Sequence, residues 1–582
     1  MPTLHWIGKD KVINHHLDVP FRVLDHQYTY DNGTQKASIQ NESGNKIIHG
    51  DNLEALKALL PEYESKIKCI YIDPPYNTGN EGWVYNDNVS DPKLKKWLGQ
   101  VVGKEAEDLT RHDKWLCMMY PRLKLLHKLL ADDGAIFISI DDNEQANLKL
   151  ICDEIFGSGN CVGPIIQNKM NAKNDTINIQ KNHEFIHVYR KKAIVASGTR
   201  IEPTLIKREY KEREVFEEDD EYYFINDSIT TRGEGGILNA RPNLGFSIYY
   251  NPETKDKLAK CDYNIELAKV SNEVTDIYND DKDLINQGYV IIRPPRVRGK
   301  LGCWTWSIDK FNDQKKDIII TGKKGNYAVK KRTFVEKELI VNENGKFFYK
   351  ALTESNSRSI LDFSTNDGTN ALNEIMGSSN VFDNPKNLEL IEYLIKLTSS
   401  EDAVILDSFA GSGTTAHAVL NLNKVDGGNR KFIIIEMEDY ANSITAERVK
   451  RVINGYGDKE GTGGSFDFYE LGPALFLEDG NLNEAVGIDR IREYIWYSET
   501  QKHFTAPSNT ENEAFLGIEN DTAFYFYYAP DEITSLDHEF LASIKTKAEQ
   551  YVIYADNCLL TKEFMAKYHI IFKKIPRDIT RF

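Results

Sequence analysis

The chain has 582 residues, a mass of 66.6 kDa and a formal net charge of −17, and 41% of its residues are hydrophobic. This length exceeds the size at which one hydrophobic core stops growing, so several structural units are expected. The composition excludes collagen-like, low-complexity and wholly disordered proteins. The longest apolar runs stop after four or five residues, whereas a membrane helix needs about 20, so no membrane span is expected.

The N-terminus and the cysteines indicate the compartment. The first residues lack the basic start and apolar stretch of a secretory signal. The seven cysteines are odd in number and show no C-x-x-C spacing. We therefore expect a cytoplasmic protein with reduced thiols, no disulfide framework and no structural metal.

Hydrophobic periodicity marks a first block of alternating strands and helices. In chain order it predicts a strand, a helix, a buried strand, a helix and a strand, over residues 45–50, 53–60, 67–73, 114–130 and 135–141. Asp51 is placed to cap the first helix, with Glu54 completing a capping box and Pro61 ending the helix. The order of these elements is β-α-β, which implies a parallel sheet.

A second block follows a long polar middle region rich in strands and turns. It predicts a helix, a strand, a helix and a strand, over residues 385–397, 403–407, 414–422 and 432–436. The two blocks are expected to form two halves of one α/β sheet.

A glycine turn joins a strand to a helix in the second block. It reads Asp407-Ser-Phe-Ala-Gly411-Ser-Gly413-Thr-Thr-Ala, and Glu436 ends the next strand. The glycines permit a tight turn and close approach of a ligand, and an acid at the position of Glu436 can accept hydrogen bonds from a ribose diol. The pattern favours an adenosine-containing cofactor and also fits a loose dinucleotide fingerprint. A glycine turn without a ligand is the alternative.

The segment Asp73-Pro74-Pro75-Tyr76 follows the buried strand of the first block. It therefore lies at the carboxyl edge of the sheet, where open α/β sheets bind ligands. Methyl transfer to an exocyclic amine requires such a set, because that nitrogen is a poor nucleophile. A carboxylate (Asp73) and a backbone carbonyl (Pro74) accept hydrogen bonds from the amine and aim its lone pair, while an aromatic ring (Tyr76) stacks on the base.

These two segments resemble motifs I and IV of the DNA amino-methyltransferases. Their order along the chain is that of the permuted β class, and the segment Phe382-Asp-Asn384-Pro385-Lys386 resembles motif X of that class. The sequence is most similar to Mod subunits of type III restriction-modification systems. This similarity extends over most of the chain and includes residues 73–79, 133–141, 303–306 and 572–582.

The resemblance implies a class I (Rossmann-like) S-adenosylmethionine-dependent methyltransferase sheet, circularly permuted, with an inserted target-recognition domain. It divides the chain into an N-terminal extension, a catalytic half, a target-recognition domain, a cofactor-binding half and a C-terminal α/β domain with a role in assembly. The corresponding residues are 1–45, 46–195, 196–375, 376–460 and 461–582.

The resemblance also assigns roles around the cofactor. Phe409, Gly411 and Gly413 are implied to shape the S-adenosylmethionine pocket, with Asp407 near the methionine amino group and Glu436 on the ribose hydroxyls.

Three further residues carry implied roles with open alternatives. Asp51 is implied to lie near the cofactor adenine, although it can equally be a helix cap alone. Lys386 either faces the cofactor or merely ends a turn. In this family an aspartate at the position of Asp73 usually accompanies adenine N6, whereas a serine accompanies cytosine N4.

A basic stretch lies within the middle region. Residues 291–350 carry 15 Lys and Arg against six acids, interleaved with aromatic residues that include Trp304 and Trp306. This mixture can neutralise phosphates and stack on bases, so Arg293, Arg296 and Arg298 are candidate contacts to double-stranded DNA. The alternatives are a solvated face or ion pairs with the acidic run at 211–223.

One motif points to different chemistry. His183-Glu184-Phe-Ile-His187 matches the H-E-x-x-H string of zinc proteases, which works on a helix. The β-branched and aromatic neighbours instead predict a strand, on which four residues span about 13 Å, too far for one zinc ion.

The sequence therefore favours a DNA adenine methyltransferase, expected as a homodimer and as the partner of a restriction (Res) subunit. A solitary methyltransferase is the alternative. Two further alternatives are a catalytically vestigial DNA-recognition subunit and a nicotinamide-dependent oxidoreductase. The intact D-P-P-Y and F-A-G-S-G strings weigh against the first of these, and the second leaves D-P-P-Y without a purpose.

Overall fold

The computed structural model describes residues 3–37, 44–78, 111–170, 179–192, 205–218, 220–231, 233–323, 325–343, 345–398, 400–507, 512–530 and 532–580. The chain forms two compact units. One comprises residues 1–207 together with 355–582, and the other comprises residues 208–354. Within the described ranges, no helix combines the length and the apolar character needed to cross a membrane.

An 11-stranded sheet runs through the first unit. Its strands, numbered along the chain, are β1 (Arg22–Asp31), β2 (Thr34–Lys36), β3 (Lys46–His49), β4 (Ile67–Ile72), β5 (Leu130–Ile140), β6 (Cys161–Asn168), β7 (His183–Arg190), β8 (Ile360–Asp362), β9 (Val404–Asp407), β10 (Lys431–Glu436) and β11 (Ser465–Ala474). Their order across the sheet is β8-β6-β7-β5-β4-β9-β10-β3-β11-β1-β2.

The centre of this sheet is parallel, as the β-α-β order predicts. Strands β5, β4, β9, β10, β3 and β11 pair in parallel, while β7 and β1 run antiparallel to their neighbours. The two sequence blocks meet where β4 pairs with β9, with Ile405 opposite Cys69. The prediction that the blocks are halves of one sheet is confirmed.

Eight helices of at least eight residues flank the sheet within the described ranges. They are α1 (Asn52–Tyr63), α2 (Arg111–Leu129), α3 (Gln145–Cys152), α4 (Thr365–Met376), α5 (Leu388–Thr398), α6 (Thr414–Asp426), α7 (Glu447–Asn454) and α8 (Ile488–Thr500). Side chains alternate across a strand, so β4 buries Ile70 and Ile72 in one core and Cys69 and Tyr71 in the other. Helices α1, α2, α3 and α8 cover the first core, and α4 to α7 cover the second.

Several helix limits differ from the sequence prediction: α2 begins at Arg111 and α6 continues to Asp426, beyond the predicted 114 and 422. Helix α1 continues to Tyr63, with Pro61 inside its last turn, and the Glu54 carboxylate pairs with Arg22 at 2.7 Å. The prediction that Pro61 ends the helix is wrong. Proline has no backbone N–H to donate, but the hydrogen bond lost at Pro61 belongs to the last turn of α1, whose apolar side chains are buried. Helix α5 begins at Leu388, since the Asn387 side chain caps it by accepting from the Leu390 amide at 3.0 Å.

Both ends of the chain add strands to the large sheet. Residues 1–45 supply β1 and β2, and β11 lies beyond the expected limit at 460. A separate four-stranded sheet follows β11, with its strands in the spatial order Phe515–Glu519, Thr522–Phe526, Gln550–Ala555 and Ile570–Lys574. Phe524 and Val552 of this small sheet share a core with Tyr494 of α8, so it packs within the first unit.

The second unit contains two sheets, and the strand pairs whose register is described run antiparallel. The three-stranded sheet has the order Lys257–Lys260, Ser247–Tyr250 and Val290–Ile292, and the six-stranded sheet has the order Ile318–Lys323, Asn326–Val335, Glu221–Ser228, Ile206–Glu218, Lys346–Asn356 and Ile340–Glu343. The second unit, residues 208–354, is shorter than the expected target-recognition domain at 196–375. After residue 354 the chain supplies β8 and α4 to the first unit.

Candidate active site

A pocket lies at the carboxyl edge of the large sheet, where β4 and β9 end side by side. It contains about 310 Å³ of empty space, including its open mouth. Its lining combines the end of β4, the segment before α5 and the glycine turn: Tyr71, Asp73, Phe382, Asn384, Pro385, Lys386, Asp407, Phe409, Ala410, Gly411, Ser412, Thr414 and Thr415. Three segments that resemble motifs IV, X and I therefore meet in one cavity.

The D-P-P-Y segment is fixed from both sides. The Trp115 indole of α2 donates to the Pro75 carbonyl at 2.6 Å. Asn77 is buried and donates to the Arg111 carbonyl and to the Glu144 carboxylate. The neighbouring residue Gly79 lies outside the described residues. These contacts hold the turn after β4 rigidly, which a group that must aim a reactive nitrogen requires.

Lys386 joins the acid and the aromatic ring of this segment. Its Nζ lies 3.1 Å from Asp73 Oδ1, donates to the Tyr76 hydroxyl at 2.6 Å, and lies 3.0 Å from Glu184 Oε2. Tyr76 donates to the same Glu184 oxygen at 2.9 Å, and Lys169 Nζ lies 2.6 Å from Glu184 Oε1. We call these five residues, Asp73, Tyr76, Lys169, Glu184 and Lys386, the lysine–carboxylate cluster.

Burial and charge set the pKa values of this cluster. Burial raises the pKa of Asp73 even though Lys386 opposes the shift. Burial would lower the pKa of Lys386, but the Asp73 and Glu184 carboxylates outweigh it and hold the pKa above its usual range. For Glu184, burial is outweighed by Lys386 and Lys169, which bring its pKa to about 2. Lys386 and Glu184 are therefore charged at neutral pH.

The glycine turn is held by a buried carboxylate at its start. Asp407 accepts hydrogen bonds from the Phe409 amide at 3.0 Å and from the Thr415 hydroxyl at 2.5 Å. Burial raises the pKa of Asp407 to about 7, against the opposing effect of these donors. Gly411 and Gly413 both have positive φ, of 53° and 81°. The turn thus needs glycine at these positions.

A buried arginine supports the same turn from α7. Arg448 is fully buried, and its Nη1 donates to Ser412 Oγ and Thr414 Oγ1, both at 2.8 Å. The Thr445 hydroxyl also donates to the Gly411 carbonyl at 2.6 Å. Because Ser412 and Thr414 line the pocket, Arg448 fixes groups that face a ligand.

Glu436, at the end of β10, lies behind the turn. It is 5% exposed, and its carboxylate accepts from the amides of Gly411 at 2.7 Å, Met437 at 2.9 Å and Glu438 at 3.1 Å. Burial raises its pKa to about 7, although these amides favour the ionised form. The Tyr440 hydroxyl also favours the ionised form of Glu436, so a ribose hydroxyl would share this carboxylate with donors that it already has.

Asp51, after β3, acts as the cap of α1. It accepts from the Leu53 amide at 2.8 Å and the Glu54 amide at 3.3 Å, and Arg122 lies 3.5 Å from its other oxygen. The adjacent Asn52 accepts from Arg122 and donates to the Ser408 carbonyl of the glycine turn at 3.0 Å. The predicted cap is confirmed, and this segment is tied to the turn.

The two glycines at the ends of α6 offer a matched test of the turn. Both have positive φ, but a Cβ on Gly413 would lie 3.2 Å from the Thr445 carbonyl, whereas a Cβ on Gly427 meets nothing within 4 Å. We expect Gly427→Ala to lower the unfolding free energy by about 1 kcal/mol from backbone strain alone. Gly413→Ala is expected to lower it further, as measured by urea denaturation, and equal effects would contradict the role of the Thr445 carbonyl.

The H-E-x-x-H segment forms a strand, as predicted. Its residues belong to β7, and Glu184 points into the lysine–carboxylate cluster. His187 is fully buried, and burial lowers its pKa to about 4. Glu184 is thus part of the candidate active site through its contacts with Lys386 and Tyr76.

The predicted arginines lie in the second unit and have local partners. Arg293 pairs with Asp280 and lies 4.1 Å from the centre of the Tyr278 ring. Arg298 pairs with Glu234 at 3.1 Å, and Arg296 donates to the Gly299 carbonyl at 2.9 Å. The acidic run at 211–223 was the alternative partner for these arginines. It pairs instead with Lys316 and Arg332, two other residues of the basic stretch.

The idea that Trp304 and Trp306 can stack on bases is wrong. Both are buried in the core of the second unit, and the Trp304 indole donates to the Phe246 carbonyl at 2.7 Å. Lys310 covers the Trp306 ring at 4.6 Å. When tryptophans stand between basic residues, the sequence alone does not show whether their side chains face solvent or a core.

Most of the candidate site residues converge at the pocket. Asp73, Lys386, Asp407, Phe409 and Gly411 line it, while Pro74, Pro75, Tyr76, Asp51, Gly413 and Glu436 lie in the segments that form or support it. Sequence reasoning missed Trp115, Lys169, Glu184 and Arg448. For Glu184, the signal was an acid in an otherwise apolar predicted strand, which is rare unless the acid has a buried partner.

Comparison with known proteins agrees with this geometry. The sequence profile of the family described as DNA methylase (N6_N4_Mtase) matches residues 67–447. The chain is 34% identical over 459 residues to the EcoPI Mod subunit, a type III restriction-modification enzyme of Escherichia phage P1, covering 76% of this chain and 64% of that protein. It is 30% identical over 458 residues to the EcoP15I Mod subunit of Escherichia coli, covering 75% and 64%.

A third relative is covered more completely. The chain is 33% identical over 405 residues to the type II methyltransferase M.KpnI of Klebsiella pneumoniae, covering 68% of this chain and 81% of that protein. By contrast, it spans 64% of the length of the two Mod subunits. The family profile includes both the D-P-P-Y segment and the glycine turn. The chain therefore belongs to the N6/N4 DNA methylase family.

Proposed function

We propose that the protein transfers a methyl group from S-adenosylmethionine to N6 of adenine at a defined sequence in double-stranded DNA. The observation that carries this proposal is the meeting of Asp73 and the glycine turn in one pocket at the carboxyl edge of the sheet. Family membership supports an amino group of a DNA base as the target. The aspartate at the head of the D-P-P-Y segment favours adenine N6 over cytosine N4.

The residues of the pocket fit S-adenosylmethionine. The glycine turn opens α6, and Ser412, Thr414 and Thr415 at this junction line the cavity, so the N-terminal end of the helix suits a carboxylate. Asp407 offers a negative group for an ammonium, and Phe409 offers an apolar surface. Glu436 would take a ribose hydroxyl and Asp51 would lie toward the adenine. The bound cofactor would supply an electrophilic methyl group.

Residues of the D-P-P-Y segment would activate and orient the nucleophile, the amino group of adenine. Asp73 and the Pro74 carbonyl would accept hydrogen bonds from the adenine amino group, which draws its lone pair out of conjugation and aims it at the methyl group. Tyr76 would stack on the base after it leaves the duplex. The hydrogen bonds of Trp115 and Asn77 fix the turn after β4, so these groups are in place before the substrate binds.

A direct assay tests this function. The purified protein is incubated with S-adenosylmethionine carrying a labelled methyl group and with double-stranded DNA of many sequences, and the DNA is digested to nucleosides. We expect the label in N6-methyl-2′-deoxyadenosine. Label in N4-methyl-2′-deoxycytidine would overturn the choice of base, and unlabelled DNA would overturn the proposal.

DNA binding is proposed for the second unit through its basic stretch. The overall charge of −17 gives no long-range attraction to phosphates, so contacts must be concentrated. Arg298 is accessible, with 68% of its side chain exposed, whereas Arg293 is 22% exposed. The carbonyl that Arg296 contacts is a weaker partner than a phosphate, so its guanidinium can exchange partners.

Neutralising Arg293, Arg296 and Arg298 together with Gln is expected to weaken DNA binding. It should also flatten the dependence of log Kd on log salt by about one unit for each phosphate that the variant no longer neutralises. Fluorescence anisotropy at several salt concentrations measures both. Arg490→Gln in α8 is the control, because it neutralises an arginine outside the second unit. An unchanged salt slope with a lowered melting temperature would show that the three arginines serve folding only.

Partners are proposed from the relatives. Two of them are named as Mod subunits of type III enzymes, so we propose that this chain works as a homodimer with a restriction (Res) subunit. A solitary methyltransferase is the second candidate, because M.KpnI is named as a type II methyltransferase. Co-purification with a Res subunit encoded beside the gene distinguishes the two, since a solitary enzyme would be recovered alone.

A further inference from the structure

We propose that Glu184 is a positioning residue that retains the Lys386 ammonium when Asp73 exchanges it for the target amine. The inference rests on the proposed function and adds a residue to it. Glu184 belongs to the H-E-x-x-H segment, whose position in β7 puts its carboxylate within 3.0 Å of Lys386 and 2.9 Å of the Tyr76 hydroxyl.

Lys386 occupies the acceptor that the target base needs. Its ammonium lies 3.1 Å from Asp73 Oδ1, the acceptor proposed for the base amine. It also donates to the Tyr76 hydroxyl at 2.6 Å, at the edge of the ring proposed for stacking. A base amine cannot use Asp73 fully while Lys386 is paired with it. Methyl transfer therefore requires Lys386 to leave Asp73.

Separation of the Lys386 ammonium from Asp73 is energetically unfavourable, because the ammonium is buried. Only 14% of the Lys386 side chain is exposed, and an unpaired buried charge is strongly unfavourable. Among the described residues, Asp73 and Glu184 are the two carboxylates paired with Lys386. Glu184 is thus the group that can keep the ammonium once Asp73 turns to the base.

Glu184 is itself prepared for this role. Its side chain is 8% exposed, and Lys169 holds its other oxygen at 2.6 Å. Tyr76 donates to the oxygen that also accepts from Lys386, so one carboxylate oxygen sets the positions of both the ring and the ammonium. Two lysines balance two carboxylates in the cluster, and this balance is preserved as Lys386 shifts from Asp73 toward Glu184.

The test replaces Glu184 with Gln, which keeps the shape of the side chain and removes its charge. Lys386 then has Asp73 as its remaining carboxylate among the described residues, and the pair tightens. We expect kcat to fall at least about tenfold, with the KM values for cofactor and DNA changing less than about threefold. We also expect kcat of the variant to rise at alkaline pH. Removal of one carboxylate lowers the pKa of Lys386, and the deprotonated amine releases Asp73.

A double-variant cycle and a matched control separate this role from a structural one. In a Lys386→Met background, Glu184→Gln is expected to lower kcat much less than in the wild-type background, because the ammonium that Glu184 retains is gone and only its contact with Tyr76 is weakened. Glu154→Gln is the control, since Glu154 also joins a lysine and a tyrosine, Lys9 and Tyr120, both at 2.8 Å. It should leave kcat and its pH profile unchanged.

Two outcomes would overturn the inference while leaving the proposed function intact. One is a Glu184→Gln enzyme that keeps more than half of the wild-type kcat. The other is an equal decrease in both backgrounds without the alkaline rise, which would make Glu184 structural only. If the wild-type protein methylates no base, the proposed function fails and the inference fails with it.

Discussion

Asp73→Ala is expected to lower the turnover number for methyl transfer at least about a hundredfold, because it removes an acceptor whose hydrogen bonds strengthen in the transition state. Binding of S-adenosylmethionine and DNA should change little, since the glycine turn and the second unit are untouched. Glu184 still pairs with Lys386 in this variant, so the ammonium keeps one carboxylate partner. Single-turnover kinetics measures the chemical step apart from binding.

Asp141 provides the matched control for this substitution. It follows the neighbouring strand β5 at the same edge of the sheet, and its carboxylate accepts from the Asn143 amide at 2.8 Å. Asp141→Ala is expected to retain most of the turnover. If Asp73→Ala keeps more than about a tenth of the wild-type turnover, Asp73 is not the acceptor for the base amine.

Glu436→Ala is expected to weaken S-adenosylmethionine binding by roughly 1.5 to 3 kcal/mol, the range for a hydrogen bond to a charged group. The substitution removes both a ribose acceptor and the carboxylate that holds the Gly411 amide. Isothermal titration calorimetry measures the change. Glu438→Ala, two residues along the chain, is the control and should leave affinity unchanged. Equal affinity in all three proteins would limit Glu436 to a structural role.

The pH dependence gives the same prediction a second readout. Burial raises the pKa of Glu436 to about 7. The ionised carboxylate is the better acceptor, so cofactor affinity should fall as the pH drops below about 7. This fall in affinity should be smaller in Glu436→Ala. In that variant Asp407, whose pKa is also raised to about 7, is the acid of the turn that still titrates in this range. An identical pH profile would contradict the assignment.

The sequence was sufficient to predict the sheet and the position of the pocket. Apolar strands such as 67–72 are buried on both faces, and a strand-turn-helix sequence fixes the edge at which Asp73 and Asp407 lie. The alternation of strands and helices in both blocks also predicted that they form one sheet, and they meet where β4 pairs with β9. Strand burial and strand-turn-helix order are local sequence patterns, and each restricts the fold directly.

The contacts inside the pocket could not be predicted in this way. Lys386, Glu184 and Asp73 are far apart in the sequence, and their ion pairs depend on the tertiary placement of β7 beside β5 and of the segment before α5. The same limit explains the error for Trp304, because local composition does not show which side chains face the core. Residues in such positions become visible only when the fold is known.

The most direct test of the central claim is single-molecule sequencing of DNA from methylation-deficient cells that express the protein. Modified bases are read with their sequence context and strand. We expect N6-methyladenine within one defined sequence, present with the wild-type protein and absent with Asp73→Ala. Unmodified DNA, or modification of cytosine in place of adenine, would contradict it.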